Sequence, residues 1–145
     1  MATNRRDPDQ RIFPDLAYAD APAAIEFLCR AFGFEEKCRY PMPDARIGHG
    51  EVGCDGHVVM LASAYEEMGF VSPQVLPSVH SQIHFRVDDV DAHYERARAA
   101  GATIAAAPKN EPGMRTYRAM DPEGHRWMFS TPLSNASSEQ TEQPR

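Results

Sequence analysis

Cysteine is scarce in this chain: Cys29, Cys38 and Cys54 are the only three among 145 residues. Their odd number and their spacing offer neither a disulfide framework nor a C-x-x-C metal knuckle, which suits reduced thiols and predicts a cytoplasmic location. Long hydrophobic runs are missing as well. No uninterrupted apolar stretch approaches the ~18 residues that a spanning helix needs. The first residues, MATNRRDPDQR, carry two arginines with no apolar segment behind them, so they do not read as a secretory signal. Basic charge is in deficit, with 15 Lys and Arg against 21 Asp and Glu for a net −6, and no Lys/Arg stripe interleaves with aromatics. Nucleic acid is therefore not an expected partner, and neither is a membrane. There is no G-x-S-x-G elbow, no P-loop and no dinucleotide glycine fingerprint, which leaves acyl transfer at a nucleophile elbow and phosphate cradling without support. The apolar share of 42% and the charged share of 25% are ordinary for a globular domain.

What the chain does have is a repeat. Asp55-Gly56-His57-Val58-Val59-Met60 is echoed by Pro122 to Met128, where Gly124, His125 and Met128 repeat Gly56, His57 and Met60 at an offset of 68 positions. Gly33 and Gly101, each closing a helical pattern, keep the same offset. A turn that launches a strand and a glycine that ends a helix thus recur together, as in a duplicated module. Halves of some 55 to 60 residues are close to the lower limit of about 60 residues for an independent core, so the two copies must share one.

The order of elements follows from local signals. Ile12 to Ala19 reads as a strand, Asp20 as an N-cap with Pro22 in the first turn, and Ile25, Leu28 and Phe32 as a helical face that stops at Gly33. Strands at Phe34 to Tyr40, Arg46 to Gly53 and Val58 to Ser63 are separated by the Pro41 to Asp44 turn and the Asp55-Gly56 hairpin. Residues 65–80 read as a connector. A second strand, Gln82 to Val87, leads to an Asp89-capped helix ending at Gly101, then to Thr103 to Ala107, Arg115 to Met120 and Arg126 to Thr131. The predicted class is α+β, with βαβββ followed by βαβββ. One domain is expected over 11–133, with module one at 11–64, the connector at 65–80 and module two at 81–133, between flexible tails at 1–10 and 134–145.

This duplication, with Val87-Asp88-Asp89-Val90 at a strand end and Asp121-Pro122-Glu123-Gly124-His125-Arg126-Trp127 as a turn and strand, resembles the glyoxalase/bleomycin resistance protein/extradiol dioxygenase superfamily, the vicinal oxygen chelate fold, and its bleomycin-resistance-like branch in particular. The resemblance implies a mixed sheet with a concave face and a homodimer in which each cavity is built from both chains. It also implies a divalent metal held by His, Glu or Gln from the first and last strand of each module. In this sequence those positions fall on Phe13, Met60, Gln82 and Met128. Two thioethers and a phenyl ring cannot replace imidazole and carboxylate around such a cation, so no metal, no cofactor and no catalytic residue is expected.

Strand alternation from these positions predicts an inner face carrying Phe13, His49, Glu51, Met60, Gln82, His84, Arg86, Tyr117 and Met128, which become the candidate ligand-binding residues. His57 and His125 are expected to serve their turns, and His93 to lie on a helix surface. The predicted function is metal-free sequestration of a small antibiotic- or metabolite-like molecule. The alternative is an enzyme of the same superfamily: a metal-dependent lyase or isomerase, dioxygenase or thiol transferase with a non-standard site drawn from His49, Glu51 and His84, or a proton-transfer catalyst with Glu51 or His84 as base.

Overall fold

The protein is described by a computed structural model covering residues 6–134. Helix α1 (Ala21–Phe32) begins where Asp20 Oδ1 accepts the Ala23 N–H at 3.1 Å and ends at Gly33, whose φ of 77° closes the last turn. Helix α2 (Val90–Ala99) is capped in the same way by Asp89, which accepts the Ala92 N–H at 3.1 Å. Around them lie β1 (Asp15–Tyr18), β2 (Glu35–Pro41), β3 (Ile47–Cys54), β4 (His57–Ser63), β5 (Gln82–Arg86), β6 (Thr103–Glu111), β7 (Met114–Met120) and β8 (Arg126–Pro132). Two single-turn 3-10 helices, Glu66–Met68 and Pro73–Val75, occupy the connector.

The strands form two four-stranded sheets of identical design, ordered β1-β4-β3-β2 and β5-β8-β7-β6. In each, the first strand runs parallel to the last and the other pairs are antiparallel. These are two tandem βαβββ modules of an α+β fold. No helix among the described residues is long and apolar enough to cross a membrane.

The modules share one core, as their size demands. The Phe32 ring, at the end of α1, lies 5.3 Å from Trp127 and 4.8 Å from Phe129, and Phe34 lies 5.4 Å from Phe85. Trp127, Phe129, Leu28 and Leu61 are fully buried, and each such side chain withdrawn from water contributes roughly 1.5–3 kcal/mol. The alternate residues of the same strands face away from the helices, so each sheet presents one open face.

Two strand boundaries differ from the sequence-based expectation by more than one residue. β1 starts at Asp15 rather than Ile12, because Pro14 has no N–H to continue the ladder, although its carbonyl still accepts the Met60 N–H at 2.8 Å. β6 runs on to Glu111, through Pro108, because it pairs with β7 alone and an edge strand tolerates a missing donor. Of the expected tails, residues 1–5 and 135–145 lie outside the described residues. Residues 6–10 are tied to the domain: the Asp7 N–H donates to Gly56 O at 2.8 Å, and the Gln10 side chain both donates to and accepts from the Val58 backbone.

Candidate functional site

On the open face of the first sheet, the register sets Asp15 opposite Met60, Met60 opposite Glu51, and Glu51 opposite Cys38, giving a row across all four strands. Directly opposed residues point to the same side, so these four side chains share the face. Glu51 is the buried member, at 6% exposure. Its Oε2 meets His49 Nε2 at 2.7 Å and its Oε1 is held by the Arg6 guanidinium. Burial pushes the carboxyl pKa up, but the hydrogen bonds and positive charge of His49 and Arg6 outweigh it and leave the group below the usual carboxylate range. The Tyr40 ring stacks beside His49, with centroids 6.0 Å apart and planes at 25°. Burial and the neighbouring Glu51 push the Cys38 thiol up. Cys38 Sγ, a ring nitrogen of His49 and a Glu51 oxygen lie within 4.8 Å of one another.

The open face of the second sheet is built differently. Gln82 Nε2 donates to Met128 Sδ at 3.7 Å, while Gln82 Oε1 accepts from Arg126 at 3.0 Å. His84 Nε2 lies 2.7 Å from Ser130 Oγ. Arg118 stands opposite Met128 and is paired with Glu111 at 3.0 Å. Between the modules runs a groove of about 510 Å³ whose lining includes Ile12, Val58, Ile83, Phe85, His84 and Arg86.

Of the nine residues expected on the inner face, the structure brings together His49, Glu51 and Met60 on one sheet and Gln82, His84 and Met128 on the other. His84 therefore does not join His49 and Glu51. Arg86 is exposed at the groove, and Phe13, half-buried, precedes β1. Tyr117 is misplaced by the sequence. It is fully buried under α2, its ring 5.2 Å from Phe129, which it faces across the β7–β8 ladder. Alternation carries the right period but not the phase, and a slip of one residue exchanges the faces, so Arg118 takes the open side instead. His93 also differs from its expected surface position: its Nε2–H donates to Phe32 O at 2.8 Å and its Nδ1 accepts from Tyr117 Oη at 2.5 Å. Sequence reasoning missed Arg6, Cys38 and Tyr40. The last two were within reach, because the β2–β3 hairpin sets Cys38 against Glu51 and Tyr40 against His49. Arg6 carries no signal of its role.

The profile of the Glyoxalase/Bleomycin resistance protein/Dioxygenase superfamily matches residues 12–129. The chain belongs to this superfamily. Among similar superfamily structures, TioX from Micromonospora sp. ML1 is 32% identical, with a TM-score of 0.68 over 86% of this chain and 99% of that one. An uncharacterized protein of Mycobacterium bovis is 34% identical over 131 residues, 88% of this chain and 86% of that protein. The fosfomycin resistance protein FosX from Listeria monocytogenes, complexed with Mn(II) and sulfate, has a TM-score of 0.66 over 93% of this chain and 98% of that one. At 15% identity it is similar in fold alone.

The resemblance places the superfamily's metal positions on Phe13, Met60, Gln82 and Met128, where Gln82 alone carries an oxygen donor. Gln82 spends its amide on Arg126 and on the Met128 thioether. A thioether is a soft, neutral donor and a phenyl ring is none.

Proposed function

We propose that this protein is a metal-free small-molecule binding protein of the glyoxalase/bleomycin resistance superfamily, one that sequesters an antibiotic- or metabolite-like ligand on its open sheet faces without altering it. The observation that supports this is the Gln82–Met128 contact: where a metal enzyme of the fold needs oxygen or imidazole donors, this chain has joined an amide to a thioether. Met60 occupies the corresponding place on the first sheet. Methionine adapts its shape to an irregular apolar guest, and the nearby Glu51, His49, His84 and Arg118 supply the few polar contacts that orient one. The two open faces sit on separate sheets, which suits a cytoplasmic homodimer in which a second copy closes each face into a cavity. No cofactor and no nucleic acid enters this proposal.

The test has two stages. Chelator-stripped protein is exposed to nickel, zinc, manganese and anaerobic ferrous iron, dialysed and assayed by elemental mass spectrometry, and is expected to retain only substoichiometric metal. Thermal-shift screening of compound libraries follows, where a binder at 100 times its dissociation constant adds roughly 2.7 kcal/mol of stability. Conversion of the bound compound would sink the proposal.

One observation favours a second reading, a metal-dependent lyase, isomerase, dioxygenase or thiol transferase with a non-standard site. Cys38, His49 and Glu51 bring a thiol, an imidazole and a carboxylate within 4.8 Å of one another, a donor set that suits zinc. Stoichiometric metal that is lost in Cys38→Ser and in Glu51→Gln would establish it.

A further inference from the structure

We propose that Glu51 is the receptor for the charged end of a cationic, ring-bearing ligand, and that Arg6 is a tethered competitor for that receptor. The inference rests on the sequestering function and names the chemistry of its ligand.

The buried carboxylate is the starting point. Glu51 lies mid-strand on the face that the helices leave open, yet it is 6% exposed. Withdrawing a carboxylate from water is costly unless it is paired and hydrogen-bonded. His49, two residues along the same strand, supplies one partner at 2.7 Å. The second is the Arg6 guanidinium, 45 positions away and upstream of the first strand. This pairing puts a planar cation against the carboxylate oxygen, the place that an amidinium, guanidinium or ammonium group of a ligand would take.

The surroundings extend that contact into a site. Tyr40, 61% exposed, lies nearly parallel to His49 and offers a flat surface beside the carboxylate on which a ligand ring can stack. Met60, opposite Glu51, forms an adaptable wall. The net charge of −6 favours the approach of cations over anions.

Arg6 is placed to give way. Its side chain remains 52% exposed, whereas the residues that follow it are fastened: Asp7 to Gly56 and His57, and Gln10 to Val58. The side chain can swing out while its tether holds, so a ligand displaces one guanidinium without unfolding anything. A competitor of this kind lowers apparent affinity by the fraction of chains in which it sits on the receptor.

The experiment uses the full chain in chelator, titrated by calorimetry with benzamidine and with its neutral isostere benzamide, for wild type, Arg6→Ala, Glu51→Gln and the double variant. Arg6→Ala is expected to bind benzamidine several-fold more tightly than wild type and to prefer it over benzamide by about tenfold or more. Adding Glu51→Gln removes the preference. The His49 ring resonances shift on addition of benzamidine, which places the probe. Equal affinities for the two probes, no saturable binding of benzamidine to Arg6→Ala, or a preference that survives Glu51→Gln would each overturn the inference. The comparison of wild type with Arg6→Ala does not depend on how Glu51→Gln folds. Equal binding of both probes leaves sequestration standing, whereas stoichiometric metal uptake removes the metal-free function without touching a comparison made in chelator.

Discussion

The phenol of Tyr18 donates a 2.6 Å hydrogen bond to Asp121 Oδ2, tying the first strand of module one to the turn before the last strand of module two across 103 positions of chain. The same oxygen accepts Trp127 Nε1–H at 3.1 Å, and Oδ1 accepts the backbone N–H groups of Glu123 and His125. Glu123 repeats the arrangement in the other direction, accepting from Ala19 N–H, Asp20 N–H and Ser72 Oγ–H. The modules are thus joined by buried carboxylates with every oxygen engaged, as well as by aromatic packing.

Replacement of Asp121 by alanine strands the buried Tyr18 hydroxyl and Trp127 N–H and removes a charged acceptor. The expected loss is about 3–5 kcal/mol in urea denaturation. Tyr18→Phe removes one donor and leaves the acceptor with three, so it is expected to cost about 1–2 kcal/mol. Similar losses for the two variants would contradict this account of the junction.

Alkaline titration is expected to show two late-ionising phenols, Tyr18 and Tyr117. Tyr18 is pushed well above 10.0 by burial and then by the adjacent Asp121 and Glu123 charges, and Tyr117 is pushed up by burial alone. Because the folded values are raised, their contribution to stability is intact below about 10, the unfolded value, and is lost as pH rises from there toward the folded values. Ultraviolet difference absorbance should show these two phenols ionising together with the loss of near-ultraviolet circular dichroism. Ionisation of Tyr18 and Tyr117 near the ordinary phenol value of about 10 while the fold persists would be inconsistent with this.

Acid also destabilises the fold, through His93. Burial holds its pKa below 6.5, with the charge of Arg96 adding to burial and the Phe32 carbonyl partly opposing both. The unfolded chain therefore binds the proton first, and folding stability falls as pH drops below about 6.5. A His93→Gln variant should show a flatter slope of stability against pH between roughly 7 and 5 than wild type. Equal slopes would place His93 outside the linkage.

Glu51 gives a more local signal. Its carboxyl titrates below 4.5 despite burial, because His49 and Arg6 favour the charged form. Its contribution to stability is present above 4.5 and is lost as pH falls through the folded value. In Arg6→Ala, carbon-detected NMR should find the midpoint moved upward. An unchanged midpoint would mean that Arg6 does not sit on the carboxylate in solution.

Much of this fold was legible in the sequence, and for a definite reason. Asp20 and Asp89 cap helices, Gly33 and Gly101 follow their ends, and Asp55-Gly56 turns a hairpin through interactions that span a few residues. Their chemistry is complete within the local chain. The pairing of His49 with Glu51 was legible on the same terms, since residues two apart on a strand share a face. Tyr117 was not, because the phase of its strand depends on the β8 residue it meets. His93 was not either: its partners, Phe32 and Tyr117, belong to other elements, one of them in the other module.

By itself, then, the sequence determined the order of elements, their caps and turns, the duplication, and the presence of a phenyl ring and two thioethers, Phe13, Met60 and Met128, which are poor ligands for a hard cation. Tertiary structure decided which face each strand shows the core, that Gln82 closes on Met128, that Asp121 and Glu123 join the modules, and that Arg6 comes to rest on Glu51. Side-chain type and local backbone geometry are properties of a short stretch of chain. The partner of a buried charge is not, because it is selected only when the whole chain packs and water is excluded.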